Sequence, residues 1–317
     1  MPYEINAYEI PIAIRALRTA SIYILNNGDK TILVDTGMDE HIDTFLKSKG
    51  VKIENIDMVF LTHLHIDHLG GVNKLSQSYG LNGYIGKNDL KRIEVIQNSS
   101  NKFITWQVNY LKRNGVPDKM LENIGENHPI FSELKNYMAL RMDSFDSIRT
   151  KIDDFNFLDV PGHSPGSTCF MVNNNSSLFS GDHILERISP NISYYDEDED
   201  MLGEYLASLA KTKNDQITNT FPGHGLPIGN PNRRIDQLIR HHEDRMNEIR
   251  ELARNGWLTS YEVAKKMKWS KGRTMETMNM METNFAIGEA ISHLRHMEKE
   301  GIIDMRETGG VYSYRSK

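Results

Sequence analysis

Cysteine is almost missing: 317 residues contain one, Cys169. That excludes an internal disulfide and suits a reducing compartment, so the cytoplasm is the expected location. Long apolar runs are missing too. No stretch approaches the ~18–20 residues that a membrane span needs, and no membrane association is expected. The opening "MPYEINAYEIPIAIR" carries acids and lacks a basic start followed by a greasy block, so no secretory leader is read there. Nor is there an excess of positive charge. The 37 Lys and Arg stand against 43 Asp and Glu, a net of −6 that argues against wholesale coating of nucleic acid and leaves room for a local basic patch. Repeats and long low-complexity tracts are absent. What is left, 38% hydrophobic and 25% charged, describes a soluble globular protein, long enough for one large domain plus a small one or for two medium ones.

Three textures follow one another along the chain. "EIPIAI", "SIYILN", "TILVDTG" and "DMVFLT" are short β-branched runs broken by turn residues, with helices expected at "MDEHIDTFLKSKG" and "HLGGVNKLSQSYG". Residues 87–150 change character. "KNDLKRIEVIQNSSNKFITWQVNYLKRNG" and "HPIFSELKNYMALRM" are amphipathic and rich in aromatics and methionine. They are expected to form a helical insertion that lines a cleft, with plain extra core as the other reading. Strand texture returns in "FNFLDV", "GSTCFMV" and "SLFSGD". A boundary is expected near "GHGLPIGNPNRR", leaving residues 1–230 as one domain and 231–317 as another. The second should hold three helices and a hairpin. "TSYEVAKKM" opens with a capping box and "IIDMRETGGVYSYRS" turns on Gly-Gly.

One segment is crowded with imidazole. "FLTHLHIDHLGGV", residues 60–72, packs three histidines and an aspartate into six positions. On extended backbone His63 and His65, two apart, point the same way and both reach one ion, whereas on a helix they sit about 200° apart. Asp67 and His68 follow on the turn into a helix. Zinc takes three or four ligands, so further donors are needed. "DVPGHSPGST" sets His163 in a Pro/Gly turn, "LFSGDHIL" sets Asp182 directly after a buried strand, and "NTFPGHGLP" sets His224 in a Gly-flanked loop. The expected count is His63, His65 and His163 for one ion and Asp67, His68 and His224 for another. Asp182 lies between them, because each of its two oxygens can hold one ion. Taken singly, His163 and His224 read as ordinary loop histidines and Asp182 as a cap; together with the cluster they read as a metal centre. Imidazole plus carboxylate suits zinc, with iron or manganese as alternatives.

These residues resemble a known family. "THLHIDHLGG" matches the H-x-H-x-D-H signature of metallo-β-lactamase-fold hydrolases, and His163, Asp182 and His224 match its later motifs in order. Asp35 in "LVDTG" matches a family aspartate that is structural and not a ligand. The resemblance implies an α/β (α+β) fold, a four-layer αβ/βα sandwich over residues 1–230 with the metals at one edge and 87–150 inserted. The tail resembles the winged-helix domain that follows this fold in one subgroup. His65 is intact where redox members often carry glutamate, which favours hydrolysis. His183, after Asp182, departs from the pattern; it reads as a packed histidine or as a polar group contacting substrate.

The expected chemistry is metal-dependent hydrolysis. Water shared by two divalent ions loses a proton near neutral pH, giving a bridging hydroxide that Asp67, ligand and acceptor together, should orient. The cluster does not choose the bond, because one fold serves many substrates. "GHSPGSTCF" resembles glyoxalase II-like thioesterases, and the insertion's aromatics suit an acyl or aromatic group, so a small-molecule ester, thioester or lactone is expected. The rival is a nuclease or phosphodiesterase, or a nucleic-acid binder working through the tail. Residues 231–317 hold 16 Lys/Arg against 13 Asp/Glu, but the would-be recognition helix "GEAISHLRHMEKEG" carries three glutamates against one arginine and one lysine. A helix meant for the major groove should be plainly basic, so nucleic acid is disfavoured and packing on the catalytic core or on a second subunit, as a homodimer, is preferred. The acids of "YYDEDED" read as a solvated first helical turn, or as a gate near the metals.

Overall fold

Neighbouring side chains on a strand point to opposite faces, and here each face has its own core. The computed structural model describes residues 1–14, 17–38, 41–121, 137–138 and 140–317. One sheet runs in the order β1 (Glu4–Pro11), β2 (Thr19–Asn26), β3 (Thr31–Val34), β4 (Met58–Phe60), β5 (Gly83–Ile85) and β6 (Met142–Ser144). Its first three strands pair antiparallel and β3 to β6 pair parallel. Helices α1 (Ile42–Ser48), α2 (Ile66–Leu69) and α3 (Val72–Tyr79) lie in the crossovers, and α4 (Lys87–Arg113) follows β5, kinked at Ser99. The second sheet comprises β7 (Asn156–Asp159), β8 (Thr168–Val172), β9 (Ser177–Gly181) and β10 (Asn219–Pro222), ordered β10-β9-β8-β7.

Alternation sorts these strands into layers. Ile22, Ile24, Leu33 and Val59 pack outward with Ile42, Leu46, Val72 and Leu75 of α1 and α3. Their neighbours Tyr23, Leu25, Ile32, Val34 and Phe60 face inward and meet Phe170, Val172 and Phe179 of the second sheet. Phe60 is the hub, with ring centroids of Phe145, Phe155 and Phe170 at 5.4, 5.3 and 5.5 Å. On the far side Cys169 and Leu178 pack with Leu202, Tyr205 and Leu209 of α5 (Met201–Thr212) and with Ile235 and Leu238 of α6 (Asn232–Leu252). Helices, sheet, sheet and helices make four layers.

The tail adds α7 (Ser260–Lys266), α8 (Met280–Lys299), β11 (Ile303–Thr308) and β12 (Val311–Ser316). The Thr259–Glu262 capping box forms, and Gly309 and Gly310 turn the hairpin with φ of 59° and 78°. Leu258 bridges to Tyr314 across the start of α7. The tail does not close on itself. Ile287, Ile291, Leu294 and Tyr314 share a core with Tyr110, Leu111 and Val116 of the inserted segment. Residue 231 marks the start of α6, which begins against α5 and ends, at Ile249, in this shared core.

The insertion's apolar stripe is therefore spent largely on packing. Phe103 and Tyr110 are buried, and Trp106 stacks on Tyr110 at 5.5 Å. The buried side of "FITWQVNYL" thus packs as extra core, while Thr105, Trp106 and Asn109 line an open cavity with Glu197 and Val311. The helical reading of "HPIFSELKNYMALRM" lies mostly outside the described residues. Among the described residues, no helix is long and apolar enough to cross a membrane.

Candidate metal centre

All seven expected donors gather at one edge of the sandwich, on the segments that follow β4, β7, β9 and β10. The chain leaves β4 and presents His63 and His65, then Asp67 and His68 on α2; His163 lies between β7 and β8, Asp182 after β9, and His224 after β10. Hydrogen bonds hold these segments together: across the gap between the sheets Thr168 N donates to Thr62 O and Ser21 N to Gly223 O, and within the second sheet Gly223 N donates to Gly181 O. At Gly223 a side chain is impossible, since a Cβ there would lie 2.4 Å from Asp182 Oδ1 and 2.6 Å from His68 Cε1.

The donors form overlapping groups joined through His63, His68 and Asp182, whose ligand atoms lie within 4.8 Å of one another. His63, His65 and His163 bring ligand atoms within 4.8 Å of one another, and so do Asp67, His68 and His224. His63 Nε2 lies 3.0 Å from His65 Nδ1, and His68 Nε2 lies 3.2 Å from His224 Nε2. Asp182 Oδ2 is 3.6 Å from His163 Nε2 and 3.5 Å from His224 Nε2, while its Oδ1 is 3.5 Å from His68 Nε2.

Outer hydrogen bonds decide where each imidazole proton sits. His68 Nδ1 donates to Asp35 at 2.8 Å, His163 Nδ1 to the Asn191 carbonyl at 2.9 Å, and His224 Nδ1 to the Thr19 carbonyl at 2.7 Å. The Thr62 hydroxyl donates to Asp35 and so accepts from His63 Nδ1 at 3.0 Å. The Tyr195 hydroxyl donates to the His163 carbonyl and so accepts from His65 Nε2 at 2.8 Å. With the outer nitrogens so engaged, all five inner nitrogens face one another and carboxylate oxygens that only accept, and each offers a lone pair wherever it carries no second proton. His163 Nε2 and Asp182 Oδ1 are buried without any hydrogen-bond partner among the described residues. Such a set repels itself unless protons or metal cations lie within it, and its nitrogen and oxygen donors would suit a divalent ion.

Charge tells the same story. Burial lowers His65 to about 3 and holds His63 well below the usual imidazole range, so this group is neutral and ligand-ready. For His68 burial opposes the charge, but Asp182, Asp67 and Asp35 outweigh it and raise the imidazolium to about 10. Burial also opposes ionisation of Asp67 and Asp182, and nearby histidines, His68 and His224 foremost, outweigh it and lower both carboxyls. The carboxylates demand positive charge, which a divalent ion on His68 Nε2 meets as well as a proton does.

Asp35 is not among the inner donors. It sits at φ 59° and accepts from Thr62 N, Thr62 Oγ1 and His68 Nδ1. Two further supports carry no sign in the sequence. Asp89, fully buried, accepts from Leu64 N, Ser164 Oγ and Gly166 N, tying the His63 loop to the His163 loop. Burial raises its carboxyl to about 7 against the pull of those donors. Close approach there needs glycine, for a Cβ on Gly166 would meet Asp89 N at 2.3 Å. Tyr195 comes from "YYDEDED", of whose acids only Asp200 serves α5, as its N-cap. His183 points away into the core, 1% exposed, bonded through Nε2 to Thr212 and edge-on to Tyr205. It follows the packed reading, and the substrate-contact expectation is corrected.

Comparison with known proteins shows what this chain and its fold are similar to. Residues 15–97 match the model of the metallo-β-lactamase superfamily. A beta-lactamase-like protein 2 homolog of Drosophila melanogaster is 26% identical over 237 residues, 74% of this chain and 68% of its own length. Its Caenorhabditis elegans counterpart is 24% identical, with 65% of its length aligned, so this chain spans about two thirds of these relatives. The probable metallo-hydrolase YqjP of Bacillus subtilis is 22% identical over 312 residues, 92% of each chain. Among solved structures, the metallo-β-lactamase family protein TTHA1429 of Thermus thermophilus superposes with a TM-score of 0.80 at 20% identity, covering 99% of this chain and 98% of its own. A beta-lactamase domain protein of Burkholderia ambifaria gives 0.77 at 20% identity, covering 99% and 92%.

Proposed function

We propose that this chain, whose mixed α/β fold is that of the metallo-β-lactamase superfamily, is a metal-dependent hydrolase with two divalent ions. The observation that carries the reading is the set of five imidazoles whose outer nitrogens are all committed, leaving five inner nitrogens converging beside Asp67 and Asp182. His63, His65 and His163 would hold one ion and Asp67, His68 and His224 the other, with Asp182 shared; when bound, the pair supplies an acidified water and a Lewis acid for the electrophile. Zinc suits this donor set, with iron and manganese as alternatives.

The chain's own residues supply alignment. Asp67, held ionised by His68 and His224, accepts a hydrogen from the attacking water and so orients it. Asp35 and Thr62 keep His63 and His68 in the required tautomer, and Asp89 keeps the two ligand loops in register. The substrate proposed is a small ester, thioester or lactone. Support comes from the acidic balance of residues 1–230, 21 Lys/Arg against 30 Asp/Glu, which disfavours a polyanion. The tail's order of helix, bridge, helix, helix and hairpin supports a winged-helix-like reading. Its third helix, α8, buries Ala286, Ile287, Ala290, Ile291, Leu294 and Met297, leaving little of it for a groove of nucleic acid. The lone buried thiol of Cys169 supports the cytoplasm as the location.

The test is elemental analysis of the purified chain, then a panel of aryl esters, thioesters, lactones and bis-aryl phosphates with Asp67→Ala as control. Two ions per chain and acyl turnover lost in the control are expected. Absence of metal, with no rescue by zinc, removes the proposal, and turnover of bis-aryl phosphate alone moves it to the nuclease reading.

A further inference from the structure

Two of the outer hydrogen bonds that orient the first histidine group come from one stretch, residues 191–200, and this stretch is strapped to the tail. On its inner side the Asn191 carbonyl accepts from His163 Nδ1, and the Tyr195 hydroxyl accepts from His65 Nε2 while donating to the His163 carbonyl. On its outer side it is tied along the length of α8. Asn191 Nδ2 donates to the Phe285 carbonyl at 3.1 Å, Arg295 Nη2 to the Glu197 carbonyl at 2.9 Å and Lys299 Nζ to the Asp198 carbonyl at 2.6 Å. Asp200 pairs with His296 Nδ1 at 2.9 Å. Between these, Ser193 rides on Gly288 so closely that a Cβ there would lie 2.2 Å from its Oγ. The second group is oriented from elsewhere, by Asp35 and the Thr19 carbonyl.

We propose that α8 sets the metal affinity of the His63–His65–His163 group through the 191–200 strap, with Tyr195 and Asn191 as positioning residues. The tail is then a brace for half of the metal centre and not a reader of nucleic acid. Outer partners of metal-bound histidines hold ring and tautomer, and losing one typically weakens the ion roughly 10- to 100-fold. Because the strap's histidine contacts all fall in one group, the two ions should respond separately. The inference rests on reading the histidine groups as metal sites.

The test uses the full chain as wild type, Tyr195→Phe, Gly288→Ala and Gly288→Ala with Ser193→Ala. Stepwise zinc affinities come from competition with a chromophoric chelator, and the His65 tautomer comes from long-range 1H–15N spectra of the metal-free protein. Tyr195→Phe should weaken one of two ions by roughly 10- to 100-fold, leave the other unchanged, and release the His65 proton from Nε2. Gly288→Ala favours the helix yet pushes the strap, so it should weaken the same ion by about tenfold, and Ser193→Ala should restore it. Wild-type binding of both ions with unaltered affinities and tautomer in Tyr195→Phe and Gly288→Ala overturns the brace alone. A wild type that takes up no zinc overturns the metal reading, and the brace with it.

Discussion

Replacing Asp35 by asparagine tests what holds the tautomers of His63 and His68. The shape is kept, and asparagine accepts the left-handed backbone at φ 59° as readily as aspartate, so no strain is added. In the native chain Oδ1 accepts from Thr62 N, and Oδ2 accepts from both Thr62 Oγ1 and His68 Nδ1. The substituted amide can offer an oxygen on one side only. If that oxygen faces the Thr62 amide, the new NH2 opposes the His68 Nδ1–H, and the imidazole must carry its proton on Nε2. If the side chain flips, two N–H groups oppose each other at Thr62, whose amide has no alternative. The first is the lesser cost, because a ring can change tautomer and a peptide N–H cannot. Loss of a buried bond to a charged acceptor costs about 1.5–3 kcal/mol of stability. The proton on His68 Nε2 now blocks the lone pair facing His224 and Asp182, and the Thr62 hydroxyl, left facing an NH2, turns its own proton to His63 Nδ1, so both groups should bind zinc roughly 10- to 100-fold more weakly. Chelator competition gives the affinities, denaturant titration the stability, and 1H–15N correlations the His68 tautomer. Unchanged affinity for both ions, or a His68 that keeps its proton on Nδ1, would refute the tautomer reasoning.

Removing metal with a chelator should lower the melting temperature, and zinc at a hundredfold excess over its Kd should return about 2.7 kcal/mol, read by scanning fluorimetry. Gly166→Ala, forced against Asp89 N, should cost about 1–3 kcal/mol and depress turnover by shifting the His163 loop; wild-type turnover and stability would contradict the close approach. Phe60→Ala empties the hub between the sheets and should cost about 3–5 kcal/mol in urea with an unchanged m-value. His183→Gln should leave kcat/KM across the acyl panel unaltered, since the ring faces Thr212 and Tyr205; a changed substrate ranking would bring back the substrate-contact reading.

Local pattern was enough wherever neighbours in the chain are also neighbours in space. Alternation in "SIYILN" already separates Ile22 and Ile24 from Tyr23 and Leu25, because the pleat sends them to opposite faces. The capping box at Thr259 and the Gly309–Gly310 turn are short-range devices and form as written. His63 and His65 share a side although the chain bends between β4 and α2, and their ring nitrogens meet at 3.0 Å. The single donors His163, Asp182 and His224 were legible as turn residues after apolar runs, and the structure brings them to the same edge.

Tertiary structure alone chose among the partners of isolated polar and aromatic residues. Asp89 reads in the sequence as an ordinary acid in a first helical turn, and Tyr195 as the start of an acidic loop; their partners lie 75 and 130 positions away. An apolar stripe such as "FITWQVNYL" says that a face must be covered but not by what, and α8 and the hairpin covered much of it. His183 beside Asp182 posed the same choice, settled when α5 supplied Thr212. Periodicity and turn chemistry act over a few residues and are written in the chain, whereas desolvation and hydrogen-bond pairing of a lone side chain depend on whatever the fold brings against it.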